Sequence, residues 1–209
     1  MYPRRVASNK RRCAWVDPLN RPLVEYHDCE WGVSAHSDRK HFEVLILSGA
    51  QAGLNWNLVL NKHEGYRLAF DDFDPEKVAR YSGRRIQRLL SDPAIIRNRT
   101  KIEGAVRNAS AFLKIQREFG TFDSYCWEFV GGVPKLNRWR RNDQIPASTS
   151  ESAALSKDLK RRGFGFVGPT VAYAYMQAVG MVNDHLVDCF RYREIAREVK
   201  RSTGTRRPK

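Results

Sequence analysis

The sequence predicts an all-α protein, and three observations support this fold class. Apolar residues recur at helical spacing, cap and turn residues begin and end these stripes, and no run of alternating β-branched residues predicts a strand. The composition also supplies enough apolar material for a core, because 42% of the residues are hydrophobic and 11% are aromatic. A disordered chain is therefore excluded.

Three apolar stripes predict the main helices. The longest stripe spans residues 102–113, and Gly120 stops the helix that carries it. A glycine ends the last stripe as well, at Gly180. The residues that share a face are Phe42, Leu45, Ile46 and Gly49 in the first stripe, Ile102, Ala105, Val106, Ala109, Phe112 and Leu113 in the second, and Ala172, Tyr175, Met176 and Val179 in the third.

Capping residues predict where two further helices begin. Asp74 before Pro75 is an N-cap followed by proline at the first helical position. Ser148 with Glu151 three residues later fits a capping box. The polar, glycine-containing residues 131–150 are predicted as the longest loop, and they separate two helical groups without clearly separating two domains.

The excess positive charge lies mostly at the two ends of the chain. The net charge is +14, with five Arg or Lys and no acid in residues 1–12, and eight Arg or Lys against two acids in residues 190–209. We therefore predict a domain over residues 13–189 between a basic N-terminal and a basic C-terminal tail. Such tails suit a polyanion, and nucleic acid is the first candidate. The alternative is that they are only solubilising or disordered.

No membrane partner or disulfide is expected. The longest apolar runs, such as residues 44–47, are far shorter than the roughly 20 residues of a membrane span. The first residues, Met1 to Arg5, do not begin a secretory signal, so we expect a reducing compartment. We assign Cys29 and Cys126 to packing.

A metal-like pair lies near the end of the chain. His185 and Cys189 are four residues apart, so on a helix they would share a face and could bind one ion. Buried cysteine and hydrogen-bonded histidine are the commoner explanation of such a pair. Cys13 and His27 could complete a tetrahedral zinc set, although spacing alone does not connect them to the pair.

A glycine-rich hairpin is a candidate phosphate-binding element. Residues 159–170 join a basic helix to an apolar one through three glycines, which permit tight turns and close approach of backbone N–H groups to an anion. A helix C-cap followed by a short turn would explain the glycines equally well. A basic cluster favours the phosphate interpretation, namely Lys160, Arg161 and Arg162.

Aromatic residues interleaved with polar ones form a third candidate. Trp15, Tyr26, Trp31 and Trp56 all lie in the first third of the chain. Aromatic faces hold an extruded base, above all a cationic one, although core packing explains most aromatic residues.

Several motifs occur in one order along the chain: Cys13-Ala14-Trp15, Tyr26-His27-Asp28 with Glu30-Trp31-Gly32-Val33, Gln51-Ala52-Gly53-Leu54 with Trp56, Ile95-Ile96-Arg97-Asn98-Arg99 with Lys101-Ile102, Arg161-Arg162-Gly163-Phe164 with Phe166-Val167-Gly168, and Val182-Asn183-Asp184-His185. In these motifs the sequence resembles the 3-methyladenine DNA glycosylase I family of the helix-hairpin-helix superfamily. The resemblance covers nearly the whole of residues 13–189.

The resemblance implies the fold, the partners and the site residues. It implies a helix-hairpin-helix DNA glycosylase fold that acts as a bacterial cytoplasmic monomer on double-stranded DNA containing alkylated bases. One structural zinc per chain would join the N- and C-terminal segments through Cys13, His27, His185 and Cys189. Trp15, Tyr26 and Trp56 would surround the extruded base, and Leu54 would probe the gap left in the duplex. The phosphate backbone would be contacted by Gly163, Phe164, Gly165, Val167, Gly168 and Thr170.

One departure from the family concerns the base pocket. Ser48 stands where the family usually carries a glutamate that contacts the alkylated base, and Gln51, three residues further on, could supply a polar contact instead. We interpret the protein as a base excision repair DNA N-glycosylase that hydrolytically releases 3-methyladenine or a related labile purine without a lysine nucleophile. The alternative is a module that binds alkylated DNA without cutting it. A zinc-stabilised helical protein with generic nucleic-acid affinity would leave the clustered tryptophans unexplained.

Overall fold

Helices form most of the chain, which confirms the predicted fold class. The computed structural model describes residues 10–204, with side chains as far as Ser202, so most of the N-terminal basic tail lies outside the described residues. These residues divide into two units. The first comprises residues 10–34, 130–146 and 176–204, and the second comprises residues 35–129 and 147–175.

The second unit contains most of the helices. They are α2 (Asp38–Gln51), α3 (Trp56–Leu60), α4 (His63–Ala69), α5 (Pro75–Val78), α6 (Gly83–Ser91), α7 (Arg99–Phe119), α8 (Phe122–Trp127), α9 (Ser150–Arg161) and most of α10 (Pro169–Ala178). The stripes that predicted α2, α7 and α10 are confirmed. The core lies around the long helix α7, where the rings of Phe112 and Phe122 stack with centroids 4.2 Å apart. Burial of side chains of this size stabilises the unit by roughly 1.5–3 kcal/mol each.

The first unit contains α1 (Arg21–Cys29), β1 (Lys135–Leu136), β2 (Val182–Asn183) and α11 (Phe190–Gly204). The two strands pair in parallel, with Lys135 opposite Val182. Strands of two residues leave no alternating pattern in a sequence, so the prediction of an all-α chain missed them. They bring β2, which directly precedes Asp184 and His185, next to the 130–146 stretch.

The predicted helix caps are confirmed at two places and wrong at one. The Asp74 side chain accepts hydrogen bonds from the N–H groups of Glu76 and Lys77, and Gly120 follows α7 with φ +83°. Helix α9, however, is capped by Thr149, not Ser148: the Thr149 hydroxyl accepts from the Ser152 N–H, and the Ser152 hydroxyl accepts from the Thr149 N–H. Two overlapping capping boxes fit the sequence, Ser148 with Glu151 and Thr149 with Ser152. The hydroxyl of Ser152, at the third helical position, completes the second box.

The C-terminal basic segment begins as a packed helix. Residues 190–204 form α11, in which Ile195 and Val199 are buried within the first unit. Arg193 and Arg197 lie on its exposed side. The rest of the predicted tail lies outside the described residues. Among residues 10–204, no helix combines the length and the apolar character that crossing a bilayer requires.

Candidate functional site

Four potential metal ligands meet in the interior of the first unit. One ligand atom each from Cys13, His27, His185 and Cys189 lies within 4.8 Å of the other three, and all four side chains are buried. The Nδ1 atom of His185 is 3.2 Å from Nε2 of His27, and the Cys189 sulfur is 3.5 Å from that same Nε2. Two sulfurs and two imidazole nitrogens at such distances match the donor set of a tetrahedral zinc site.

Residues beside the ligands orient both imidazoles. The Nδ1 atom of His27 lies 2.8 Å from a carboxylate oxygen of Asp28, which also accepts two hydrogen bonds from Arg12, at 2.9 and 2.6 Å. The Nε2 atom of His185 lies 3.0 Å from the carbonyl oxygen of Trp31. Partners of this kind fix the nitrogen that each ring offers to a metal. Sequence reasoning missed them, although Arg12 precedes Cys13 and Asp28 follows His27 directly.

The surroundings favour the protonation states that a metal needs at Cys189 and His185, whereas the hydrogen bond to Cys189 and burial raise the pKa of the Cys13 thiol. A hydrogen bond from Cys13 lowers the pKa of the Cys189 thiol, and interactions with both histidines act in the same direction against the effect of burial. Burial lowers the pKa of His185, which therefore stays neutral at neutral pH. A thiolate and a neutral imidazole are the forms of these side chains that bind zinc.

The His185–Cys189 pair comes together in a turn and not on a helix, so this part of the sequence reasoning is wrong. The Cys189 N–H donates to the Leu186 carbonyl at 2.8 Å, one residue before α11 begins. The buried carboxylate of Asp184 anchors the segment. It accepts hydrogen bonds from Asn137 at 2.6 Å, Trp139 at 2.8 Å and Gln177 at 2.8 Å.

A second group of potential ligands lies in the second unit but does not have metal-site geometry. His41 lies 2.7 Å from the Tyr175 hydroxyl through Nδ1 and 3.0 Å from Asp123 through Nε2. The Cys126 sulfur is 3.8 Å from both ring nitrogens, so it lies on the lone-pair axis of neither. The group is a buried hydrogen-bonded network, and Cys126 is a packing residue as predicted. Cys29, by contrast, is exposed at the end of α1, so its assignment to packing is wrong.

Two of the three aromatic candidates of the first unit, Trp15 and Tyr26, are half-buried, and the third, Trp31, is buried. Trp15 meets His27 and Trp31 edge to face, with ring centroids 5.3 and 5.0 Å apart. Tyr26 lies on α1, one residue before His27. Trp15 thus contacts the candidate metal centre as well as being a candidate for base contact.

The polar candidates of the second unit lie on α2. Ser48 is only 4% exposed, and Gln51, three residues later, is the half-buried last residue of the helix. Residues three apart on a helix are neighbours on its surface, as the sequence predicted. Trp56 is the half-buried first residue of α3, which Asn55 caps by accepting from the Asn57 N–H at 2.7 Å.

Leu54 projects from a tight turn directly after α2. Ala52 has φ −45° and ψ 116°, Gly53 has φ +74°, and the Leu54 N–H donates to the Gln51 carbonyl at 2.6 Å. These values define a type II turn, whose third position requires the positive φ that glycine adopts readily. We call residues 51–54 the Leu54 turn. It leaves the Leu54 side chain 40% exposed.

The hairpin begins as a helix C-cap. The Gly163 N–H donates to Lys160 and the Phe164 N–H donates to Leu159, each at 3.0 Å, and Gly163 has φ +97°. This is a Schellman motif, the feature that the alternative interpretation of the glycines anticipated. Asn108 then exchanges two hydrogen bonds with the Gly165 backbone, at 2.8 and 3.0 Å.

Only part of the hairpin is available to a phosphate. Phe164 and Val167 are 5% and 3% exposed, so their side chains belong to the core, and only their backbone groups could contact a phosphate. Gly168 and Thr170 lie around the first turn of α10, whose N–H groups have no acceptor within the helix. A Cβ added at Gly168 would meet nothing within 4 Å.

The basic cluster before the hairpin is mainly structural. Arg162 pairs with Glu118 and Asp158, each at 2.6 Å, and lies over the Phe119 ring. Arg161 also pairs with Asp158. The cluster therefore gives less support to a phosphate site than the sequence suggested, and Lys160 is its exposed member without an acidic partner among the described residues.

Solved structures to which this chain is similar include 3-methyladenine DNA glycosylases. The chain is similar to a crystal structure of 3-methyladenine DNA glycosylase I, with a TM-score of 0.84 and 45% identity over 86% of this chain and 98% of that one. It is also similar to a variant of 3-methyladenine DNA glycosylase I solved in complex with 3-methyladenine, with a TM-score of 0.80 and 36% identity over 81% of this chain and 91% of that one. The class defined by these likenesses is that of the helical DNA glycosylases.

Sequence comparison leads to the same class. The family described as methyladenine glycosylase matches residues 15–192. The DNA-3-methyladenine glycosylase 1 of Escherichia coli is 47% identical over 183 residues, which cover 87% of this chain and 96% of that protein. The chain belongs to the methyladenine glycosylase family.

Proposed function

We propose that this protein is a DNA N-glycosylase of base excision repair that extrudes an alkylated purine, 3-methyladenine or a related labile adduct, and releases it hydrolytically. The observation that carries the proposal is the Leu54 turn. An exposed leucine lies within three residues of Gln51, a polar candidate for base contact, and within two of Trp56, an aromatic one. A side chain that fills the gap in a duplex needs this proximity to residues that receive the base.

The proposed reaction does not require a nucleophilic side chain, because water attacks the sugar directly. The oxygen of a water molecule bonds to C1′ of the deoxyribose and the water gives up one proton to the solvent. The bond between C1′ and the base nitrogen breaks, and the cationic base leaves as a neutral molecule with the bonding electron pair. An alkylated purine is cationic before it leaves, so the protein mainly has to extrude it, stack on it and stabilise positive charge on the sugar. Trp56 and Gln51, both of the second unit, are the proposed base contacts.

The proposed contacts to the phosphate backbone lie in a helix-hairpin-helix element formed by α9, residues 163–168 and α10. The N–H groups of Gly168 and Thr170 at the start of α10 suit a phosphate, and Gly163 and Gly165 shape the backbone that precedes them. The available space at Gly168 supports this assignment. Phosphate contacts of this kind position the protein on DNA without reading its sequence.

We also propose that Cys13, His27, His185 and Cys189 hold one structural zinc. The ligand set is complete and buried, both imidazoles are oriented from outside, and the ligands come from the two ends of the sequence. Bound zinc would hold these ends together and would supply no step of base release.

Ser48 favours a second candidate function, a module that recognises alkylated DNA without cleaving the glycosidic bond. A carboxylate could face the positive charge of the base, whereas a serine hydroxyl is neutral and short. Gln51 lies on the same face of α2 but carries no charge either. The two candidates differ only in whether a free base is formed.

Release of free bases from methylated duplex DNA, identified by mass spectrometry, decides between them. We expect 3-methyladenine to be released, and to be released more slowly by Leu54→Ala. Leu68→Ala is the matched control, because Leu68 is also an exposed leucine of the second unit, 63% exposed, outside the proposed site. Tight binding to methylated DNA without any released base would instead establish the binding module.

A further inference from the structure

Lys101 joins the first turn of α7 to the end of α2. Its backbone N–H donates to the Asn98 side chain at 3.0 Å, which fixes the residue at the start of the helix. Its ammonium group donates to two carbonyl oxygens, that of Ala50 at 2.7 Å and that of Ala52 at 2.8 Å. All of these residues belong to the second unit.

The two carbonyls have different roles. Ala50 lies in the last turn of α2, where backbone carbonyls receive no hydrogen bond from an N–H group of the same helix. A cation at this end also interacts favourably with the helix dipole. Ala52 contributes the carbonyl of the central peptide of the Leu54 turn. Type I and type II turns differ in the orientation of this peptide, so a donor bound to it selects the type II form.

The glycine of the turn does not fix the orientation of that peptide. Gly53 has no side chain, and a Cβ added there would find nothing within 4 Å. Glycine permits both orientations of the central peptide, because its backbone is allowed on either side of φ 0°. The direction in which Leu54 leaves the turn therefore depends on the contact between Lys101 and Ala52.

We infer that Lys101 is a positioning residue for base extrusion: its hydrogen bond to Ala52 holds the Leu54 turn in the form that aims Leu54 at the gap in the duplex. This inference rests on the proposed function of Leu54. It differs from plain capping of α2, which would affect stability alone.

The test measures extrusion directly. Stopped-flow fluorescence is recorded with a duplex that contains 3-deaza-3-methyladenine, a stable analogue of the alkylated base, beside 2-aminopurine as the reporter. We expect Lys101→Met to slow the extrusion phase by about tenfold or more, because a small displacement of a positioned group is costly. Lys62→Met is the matched control: Lys62 also donates to a backbone carbonyl, that of Pro93 at 2.6 Å, away from the Leu54 turn. The Lys62→Met variant should extrude the base at the wild-type rate.

A double-mutant cycle separates positioning from a merely structural role. If Lys101 acts through Leu54, adding Leu54→Ala to Lys101→Met slows extrusion no further. Independent, additive effects would overturn the inference, as would a wild-type extrusion rate in Lys101→Met. If that variant does not fold, Gly53→Ala replaces it, because it strains the same turn at φ +74° and should show the same non-additivity. A wild-type protein that gives no fluorescence change with this duplex would contradict the proposed function instead.

Discussion

The His27 imidazole lies between a carboxylate and the candidate metal centre: its Nδ1 atom is 2.8 Å from Asp28, while its Nε2 atom is 3.2 Å from Nδ1 of His185. The carboxylate fixes the ring so that Nε2 faces the other ligands. Arg12 forms a salt bridge with this carboxylate, and the side chains of Arg12 and Asp28 are each about one-tenth exposed. The proposed metal affinity should therefore depend on a residue that is not itself a ligand.

Asp28→Asn should lower zinc affinity by about 10- to 100-fold, the usual effect of losing a carboxylate partner of a metal-bound histidine. Competition with a chelating dye measures it. Asp123→Asn is the control, because Asp123 contacts the buried His41 in the same way, at 3.0 Å, outside the proposed zinc ligand set. Equal affinities for the two variants would show that Asp28 does not orient His27.

Cys189→Ser should destabilise the protein more than Cys126→Ser when zinc is present, because metal that binds only the folded chain adds to its stability. Both sulfurs are fully buried, so packing losses are matched. Thermal unfolding with zinc and with a chelator tests this. Protein purified with zinc available but containing none by elemental analysis would contradict the zinc site itself.

Gly168→Asp should weaken DNA binding without lowering the stability of the protein. The Gly168 carbonyl accepts the first hydrogen bond of α10, from Ala172 at 2.8 Å, so aspartate there is a favourable N-cap and should preserve or raise the melting temperature. The same carboxylate should weaken binding to damaged and undamaged duplex by about tenfold or more, through repulsion of a phosphate. Gly83→Asp, at a similarly open glycine of α6, controls for net charge. If both variants bind DNA equally, Gly168 does not contact phosphate.

Ser48→Glu should accelerate release of 3-methyladenine. The site is buried, and a charge-assisted hydrogen bond to the cationic base that recovers about 1.4 kcal/mol in the transition state would raise the rate about tenfold. Ser48→Gln adds similar bulk without charge and should not produce this gain. Single-turnover kinetics on methylated DNA compare the three proteins. Slower release by a glutamate variant that still folds would mean that the pocket works by another arrangement.

Asp158→Asn should destabilise the protein at neutral pH but much less in strong acid. Burial alone would raise the pKa of Asp158, but hydrogen bonds from Arg162, Arg161 and Tyr125 lower it to about 2. A carboxyl group whose pKa is lowered by folding stabilises the folded state fully at a pH above the pKa of the unfolded state, here 3.8. This stabilisation is lost as the pH falls through the folded-state pKa of about 2. Chemical unfolding across this range should show the gap between wild type and variant narrowing. A constant gap would indicate that the carboxylate charge is not involved.

Local signals in the sequence predicted helices better than sites. Helix α7 was predictable because its apolar stripe and Gly120 lie within one stretch of chain. The cap of α9 was predicted one residue too early because Ser148 and Thr149 could each begin a capping box. The two possibilities can be distinguished only in the folded structure. The burial of Phe164 and Val167 was also invisible, since a hairpin that grips DNA and one that packs into a core use the same residues.

The candidate site needed contacts between distant parts of the chain. Spacing suggested the pair His185 and Cys189 but not its partners Cys13 and His27. These lie more than 150 residues earlier in the sequence; His27, for example, is 158 residues from His185. Asp28 was part of a family motif, but its role was missed because a carboxylate beside a ligand has no distinctive spacing. The role of Lys101 was missed because its partners are backbone carbonyls, which every residue possesses.

The division of the candidate metal ligands between early and late parts of the sequence would order events during biosynthesis. A ribosome makes Cys13 and His27 early, but a nascent chain cannot offer the full ligand set until Cys189 has left the exit tunnel. Until then the thiol of Cys13 and the imidazole of His27 lack half of their partners. A messenger truncated upstream of residue 185 would therefore yield a product with two of the four ligands, unable to close the centre however much zinc the cell supplies.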